Sequence, residues 1–529
     1  MDVPQFFKKQ TITQAALLIS IILFLSKFIG FAREVLVAKY FGATALTDAF
    51  LVALIIPTLI LGLFSGGFST LIIPLYIEKK ASSTEEARRF VNSSFLVWGT
   101  LFLFISVLVF VFAPLCVKII AYGFKGGTFA LAVNFTRYLV IVGLFTVLTG
   151  LFTGLLQAEK QFFFPALAGL LGNFALVLSL FLLHRQLGIH SWTAGQIAFA
   201  SFQFLALLSL LYLRYNLFHS LKPDQIDWKE MKNFALLLLP FVISGGISIL
   251  NQIVDKTIAS GLEPGSIAAL NFAQRVWGVP ITLLATPIAM AIFPYFSELA
   301  LDSSAKKVYE EQVNKTLGMC FYLIVPSSFF LFFLSEPIVR LFFERGAFGP
   351  EATALTSFVV KMYVLGLFAH AISPVLARVF YSFKNTRTPL LVSALCVGLN
   401  IILNIILAKL LGAGGIALAT SIVMLVNIIL FGYYLKRYLR PFSKSLVLEV
   451  AKMIACSLPI GIICLLARPL FLDMEAATLN GFITLLIRIV GVSLTGLAGF
   501  ALLSYLFKLP YYFLFKNYAL SALRRVSGK

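Results

Sequence analysis

The octapeptide IIPLYIEK at residues 72–79 has a degenerate copy, IFPYFSEL, at residues 292–299. Nor does that copy stand alone, because APLCVKII at 113–120 is answered by EPIVRLFF at 336–343. Four prolines find partners at a nearly constant separation of 220 to 224 residues: Pro57 with Pro280, Pro74 with Pro294, Pro114 with Pro337, and Pro165 with Pro389. Lys160 and Lys384 each stand five residues before the proline of the last pair. Agreement at four sites is improbable by chance, so the chain contains an internal duplication.

What is duplicated belongs in a membrane. Of 529 residues, 60% are hydrophobic and 12% are charged, where soluble domains carry about 25% charged residues. The mean hydropathy is +0.97. Apolar runs of about 20 residues, enough to cross roughly 30 Å of hydrocarbon, recur from Thr13 to Phe507. Turn residues and charges punctuate the chain into fourteen helical segments: 13–38, 47–77, 89–121, 129–158, 162–184, 191–216, 232–261, 265–299, 312–343, 352–382, 387–409, 412–436, 446–467 and 479–507. The first run is too long for a cleaved signal peptide and ends in no small-x-small site.

Six segments return the chain to its starting side, so the halves are parallel repeats related by an axis along the membrane normal. The expected fold is an all-α polytopic membrane protein of about 14 transmembrane helices, two six-helix repeats plus two C-terminal helices. Its divisions are an N-terminal lobe (1–222), a C-terminal lobe (223–440), and two extra helices with a basic tail (441–529). Such a layout places a cavity between lobes that rock to open it to each side. Segments 13 and 14 have no partner in the duplication and are read as an addition with a role of their own.

The net charge of +20 would suit nucleic acid if the basic residues shared a soluble face, but they lie between apolar runs. Most connection Lys and Arg, among them Lys8, Lys9, Lys79, Lys80, Arg88, Arg89, Lys222, Arg437 and Arg440, fall on alternate connections; the others hold only Lys39, Lys125, Arg185, Arg345, Lys409 and Arg468. The positive-inside rule therefore places both termini in the cytoplasm. Five cysteines without a CxxC pair indicate neither metal nor disulfide. No GxxxxGK[ST], GxSxG or HExxH motif is present, and the four histidines are scattered. No energy-coupling ATPase is encoded, and the short outer loops leave no room for a catalytic domain.

Ionisable residues inside apolar segments cost several kcal/mol and by default face protein or water along a functional path. Lys27, Arg33, Glu34, Asp48, Asp255, Lys256, Arg275, Lys361 and Arg378 qualify. Cations outnumber anions, so a water-filled cavity they line should attract an anion, and a guanidinium suits bidentate phosphate recognition. Lys256 falls on Arg33 in the duplication, one cation from each lobe. Glu34 follows Arg33 directly, so it either points away from it or pairs with it. Small residues in segment 2 (Gly62, Gly66, Gly67) and segment 7 (Ser244, Gly245, Gly246) read either as close helix packing or as a bend.

These residues compose familiar motifs. SKFIGFARE (26–34), AKYFGATALTDAF (38–50), IIP (55–57) and NFAQRVWGVP (271–280) together resemble the MurJ (MviN) family of lipid II flippases in the multidrug/oligosaccharidyl-lipid/polysaccharide (MOP) exporter superfamily. The resemblance covers nearly the whole chain. It implies a secondary transporter, not an enzyme, of the bacterial inner membrane, which is monomeric and flips an undecaprenyl-pyrophosphate-linked saccharide by alternating access. Its partners would be that lipid-linked saccharide and membrane lipids, with no nucleic acid. By motif, it implies a cationic cavity built on Arg33, Asp48 and Arg275, to which Lys27 and Glu34 at neighbouring motif positions and Lys256 by the duplication are added as candidates, a groove for the lipid tail at segments 13 and 14, and a sodium site at Asp255, Asn400, Asn404 and Thr420.

The chain departs from the family pattern in several places. Lys27 replaces the first arginine of SRxxGxxRD, and Glu34 replaces its aspartate. Leu61 and Gly62 stand where an arginine is found, Gly66 stands where an acid is found, and Asn404 replaces an acid, leaving Asp255 the only carboxylate of the sodium set. The main rival is a same-fold flippase for an exopolysaccharide, O-antigen or teichuronic acid precursor. A drug/cation antiporter would place carboxylates rather than arginines in its cavity and would not need segments 13 and 14.

Overall fold

A computed structural model describes residues 12–215, 226–471 and 478–526. Lys8, Lys9, Lys222 and the expected lobe boundary at 222/223 lie outside the described residues, as does the side chain of Ser244. Every regular element among the described residues is helical, as the composition requires. In a bilayer only a helix or a closed barrel satisfies its own backbone groups.

The chain forms two compact units, residues 1–265 and 266–529. Unit 1 contains α1 (Ile12–Phe41), α2 (Ala45–Ala53), a π-helical turn (Ile55–Ile60), α3 (Leu61–Ser82), α4 (Thr84–Val111), α5 (Ala113–Ile120), α6 (Gly126–Ala158), α7 (Phe163–Leu187), α8 (His190–Tyr215) and α9 (Trp228–Ala259). Unit 2 contains α10 (Ser266–Pro280), a π-helical turn (Ile281–Ala285), α11 (Thr286–Leu299), α12 (Lys306–Phe333), α13 (Ser335–Phe343), α14 (Pro350–Val364), α15 (Leu367–Ser382), α16 (Arg387–Leu435), α17 (Lys444–Leu466), α18 (Leu479–Leu506) and α19 (Pro510–Val526).

The duplication is visible in the backbone. Left-handed φ values fall in pairs at the proline spacing: Gly42 (62°) with Gly265 (91°), Gly126 (52°) with Gly346 (61°), Lys160 (60°) with Lys384 (56°), and Gly188 (53°) with Gly412 (57°). The π-helical turns fall at Pro57 and immediately after Pro280, where a ring without an N–H interrupts the helical ladder. The breaks before α5 and α13 precede the paired Pro114 and Pro337. Lys508 is a third left-handed lysine (52°). Each of the three lysines closes its helix in the same way: the lysine amide bonds back three residues and the next amide bonds back five, from Lys160 and Gln161, Lys384 and Asn385, and Lys508 and Leu509.

Although α16 is helical over 49 residues, Gly412 at φ 57°, ψ −136° breaks it. The two arms fold back on each other: Asn427 Nδ2 donates to Cys396 Sγ at 3.7 Å, and a Cβ on Gly415 would lie 1.9 Å from the Leu407 carbonyl oxygen. The arms match segments 11 and 12. Among the described residues ten helices are long and apolar enough to cross a membrane, eleven when α14 and α15, bent by 44°, count as one. That count takes α16 once and leaves out α1 and α9, so it does not reach the fourteen read from the sequence.

Two features differ from the sequence reading. The duplication would assign α9 to the second half, yet α9 packs on α3, α4 and α5 within unit 1. Segments 2 and 7 meet here through their small residues: a Cβ on Gly67 would lie 2.5 Å from Leu238, and one on Gly245 would lie 2.3 Å from Leu63, so close packing is their role at these positions. The basic tail contains a further helix, α19, started by Pro510. Its Tyr511 hydroxyl donates to Glu449 Oε2 at 2.8 Å and packs against Gly318.

Candidate functional site

α1 carries three of the expected charges into an apolar stretch. Lys27 is exposed, Arg33 is half-buried, and Glu34 is buried. Neighbouring helical residues are splayed by about 100°, but the long arginine stem folds back, and Arg33 Nη2 donates to Glu34 Oε1 at 2.7 Å. The arginine side chain keeps 20% of its surface exposed against 3% for the glutamate. Glu34 is thus the buried counter-charge that fixes the guanidinium. Arg33 Nε is buried without a hydrogen-bond partner among the described residues, and the fork of five donors meets an anionic ligand through the part of the side chain that stays exposed.

The other unit 1 candidates converge on α2. Asp48 is buried, and its Oδ2 accepts the Gly265 amide at 2.6 Å. Gly265 has φ +91°, and a Cβ there would lie 2.3 Å from the Ala43 carbonyl oxygen, so only glycine fits this approach. Asp48 therefore pins the turn that ends unit 1. Lys256 Nζ donates to the Leu51 carbonyl at 3.4 Å, while Asp255 beside it is buried. In unit 2, Arg275 stands exposed on α10.

The remaining residues of the expected sodium set lie on the two arms of α16. Asn400 and Asn404 are buried, and Asn404 Nδ2 donates to Asn400 Oδ1 at 2.8 Å. Thr420 Oγ1 donates to the Ile416 carbonyl at 3.1 Å. Unit 2 therefore offers neutral oxygens from these three residues, and the two amides close on each other. None of the three carries a charge, so unit 2 contributes no carboxylate to the expected set. No cluster of three or more His, Cys, Asp or Glu able to hold a metal ion occurs among the described residues.

One feature had no readable sequence motif. An apolar cavity of about 550 Å³ opens among Pro280, Leu284, Tyr322, Phe330, Leu497 and Phe500, from the region after α10, from α12 and from α18. Its only sequence signal is that the last two segments lack partners in the duplication.

The profile of the family described as "Lipid II flippase MurJ" matches residues 37–504. The chain belongs to the MurJ family. A "Probable lipid II flippase MurJ" from Aquifex aeolicus is 31% identical over 71% of this chain and 73% of its own length. One from Rickettsia prowazekii is 26% identical over 88% and 92%. A solved MurJ structure in an inward closed conformation superposes with a TM-score of 0.75 at 27% identity, over 91% of this chain and 98% of that one. An inward-facing MATE multidrug transporter of the MOP superfamily, at 15% identity and a TM-score of 0.66 over 80% of this chain and 98% of that one, shares the fold.

Proposed function

We propose that this MurJ-family protein is a transporter and not a catalyst, and that it flips lipid II, the undecaprenyl-pyrophosphate-linked peptidoglycan precursor, across the bacterial inner membrane. The observation that carries the reading is Arg33, a guanidinium fixed by a buried glutamate, with donors left over, in a chain that matches the family over residues 37–504. Arg33 would take the pyrophosphate oxygens as charge-assisted hydrogen bonds. Lys27, Lys256 and Arg275 would add positive charge, and Asp48 would hold the framework. The cavity lined by α12 and α18 would take polyprenyl chain, which is apolar and flexible like its walls. Alternating access, monomeric action and cytoplasmic termini complete the proposal.

Complementation of a strain depleted of its lipid II flippase tests it. The unmodified protein should restore growth, and Arg33→Ala and Arg275→Ala, at matched membrane abundance, should not. Failure of the abundant unmodified protein in two different hosts would move the substrate to another lipid-linked saccharide. Equal rescue by both variants would overturn the role of the cations.

We further propose that transport does not depend on sodium, because Asn404 gives the expected site an amide engaged with Asn400 where relatives of this pattern have an acid. Replacing sodium by potassium should leave the melting temperature of the unmodified protein unchanged, whereas Asn404→Asp should acquire a sodium-dependent increase. A sodium-dependent increase in the unmodified protein would refute this.

A further inference from the structure

Lys361, one of the ionisable residues inside the apolar segments, takes no part in the proposed transport site. It lies 11 residues into α14, about 16 Å along the helix at 1.5 Å per residue, and an ammonium at such depth faces water, protein or an anion. The structure directs it into a cavity of about 270 Å³ that it shares with Glu336, Arg340 and Arg468. Arg340 is already committed: Nη2 donates to Glu336 Oε1 at 2.9 Å, Nη1 to the Phe471 carbonyl at 2.7 Å, and Nε lies 3.4 Å from Glu344. Both acids are thus held by Arg340, and with Lys361 and Arg468 the group keeps a net positive charge.

An apolar slot of about 370 Å³ lies beside the cavity, and Phe332 and Phe333 line both. Phe329, Phe368, Val450 and Ile454 line the slot farther on. Leu365 at its edge is 45% exposed, and Leu465 at the edge of the charged cavity is 55% exposed. For a membrane protein, surfaces of this kind open to lipid. A cationic chamber beside an apolar slot has the polarity of an anionic amphiphile. A soluble phosphate would leave the slot unfilled, and a neutral lipid would leave the cations uncompensated.

We infer that α12, α14 and α17 hold a phospholipid with an anionic headgroup, its phosphate at Lys361 and Arg468 and an acyl chain in the slot. The site belongs to unit 2 alone. At the local spacing of 224 residues, which also relates Lys160 to Lys384, Arg137 stands for Lys361, whereas Arg468 has no counterpart because it lies beyond the duplication. The added helices therefore build a lipid site that the first half lacks. None of its residues is among the proposed substrate cations, so this inference stands or falls independently of the transported molecule.

Native mass spectrometry of the full-length, delipidated protein tests it with three probes: phosphatidylglycerol, phosphatidylethanolamine of the same acyl chains, and glycerol 3-phosphate. Phosphatidylglycerol should bind at least 10-fold more tightly than phosphatidylethanolamine, and glycerol 3-phosphate should not displace it. Lys361→Gln with Arg468→Gln should erase the preference. Ile454→Trp, which fills the slot and leaves the charges, should reduce retention of phosphatidylglycerol at least 10-fold. Equal binding of the two lipids, displacement by glycerol 3-phosphate, or an unchanged preference in the double variant would overturn the inference. Should the double variant fold poorly, unchanged retention by Ile454→Trp would overturn it alone.

Discussion

The two halves of the duplication make the same turns with different chemistry. Gly188 turns the chain between α7 and α8 at φ 53°, ψ −133°, and Gly412 turns α16 at φ 57°, ψ −136°. Arg33, however, bonds the acid that follows it, whereas its counterpart Lys256 has its neighbouring acid, Asp255, on the other side and reaches the Leu51 carbonyl at 3.4 Å. Backbone conformation that only certain residues tolerate has persisted in both halves. Side-chain chemistry, under no such constraint, has diverged.

The largest test of this contrast is functional. Arg33→Ala should lower plating efficiency in the complementation strain by several orders of magnitude, Arg33→Lys should retain part of it, and Lys256→Ala should cost less than Arg33→Ala. Equal losses would mean that the halves share the load. Next, Glu34→Gln leaves a half-buried guanidinium without its counter-charge and should destabilise the protein by about 2 kcal/mol, read as a lower melting temperature in detergent. An unchanged melt would show that the pair contributes nothing to the fold. Gly188→Ala and Gly412→Ala force a Cβ into backbone that essentially only glycine adopts and should each cost about 1–3 kcal/mol. Clearly unequal losses would break the equivalence of the turns. The smallest effect, a gain of about 1 kcal/mol each from relief of the left-handed strain, is expected for Lys160→Gly and Lys384→Gly by the same melts.

Much of the fold was legible because prolines and glycines constrain the backbone wherever they stand. The paired prolines stand at the π-helical turns and the α5 and α13 breaks, although the sequence reads segments 2, 3, 8 and 9 as unbroken helices, and the arms of α16 matched segments 11 and 12. Packing was not legible. The sequence assigns α9 to the second half by descent, whereas side chains such as Leu238 and Phe241 against Gly67 assign it to the first. α19 was hidden because a short run of Tyr and Phe among basic residues reads as tail until Tyr511 finds Glu449 and Gly318. In the site, Arg33 could be singled out as a cation in an apolar run. Its bond to Glu34 depends on a rotamer, which residue spacing does not specify. The pocket holding Lys361 and Arg468 joins residues more than 100 positions apart and left no local mark.

The left-handed lysines also bear on how the chain enters the bilayer. Lys160, Lys384 and Lys508 each stand two residues past α6, α15 and α18, so the residue that terminates each helix is also the first cation beyond it. A glycine would make the same turn with less strain but would give the insertion machinery no signal for orientation. In the proposed topology all three lie on the cytoplasmic side, where each would act as a stop against overshooting as its helix leaves the translocon. The small conformational cost of a lysine at these turns would then be offset during biogenesis, before the finished fold exists.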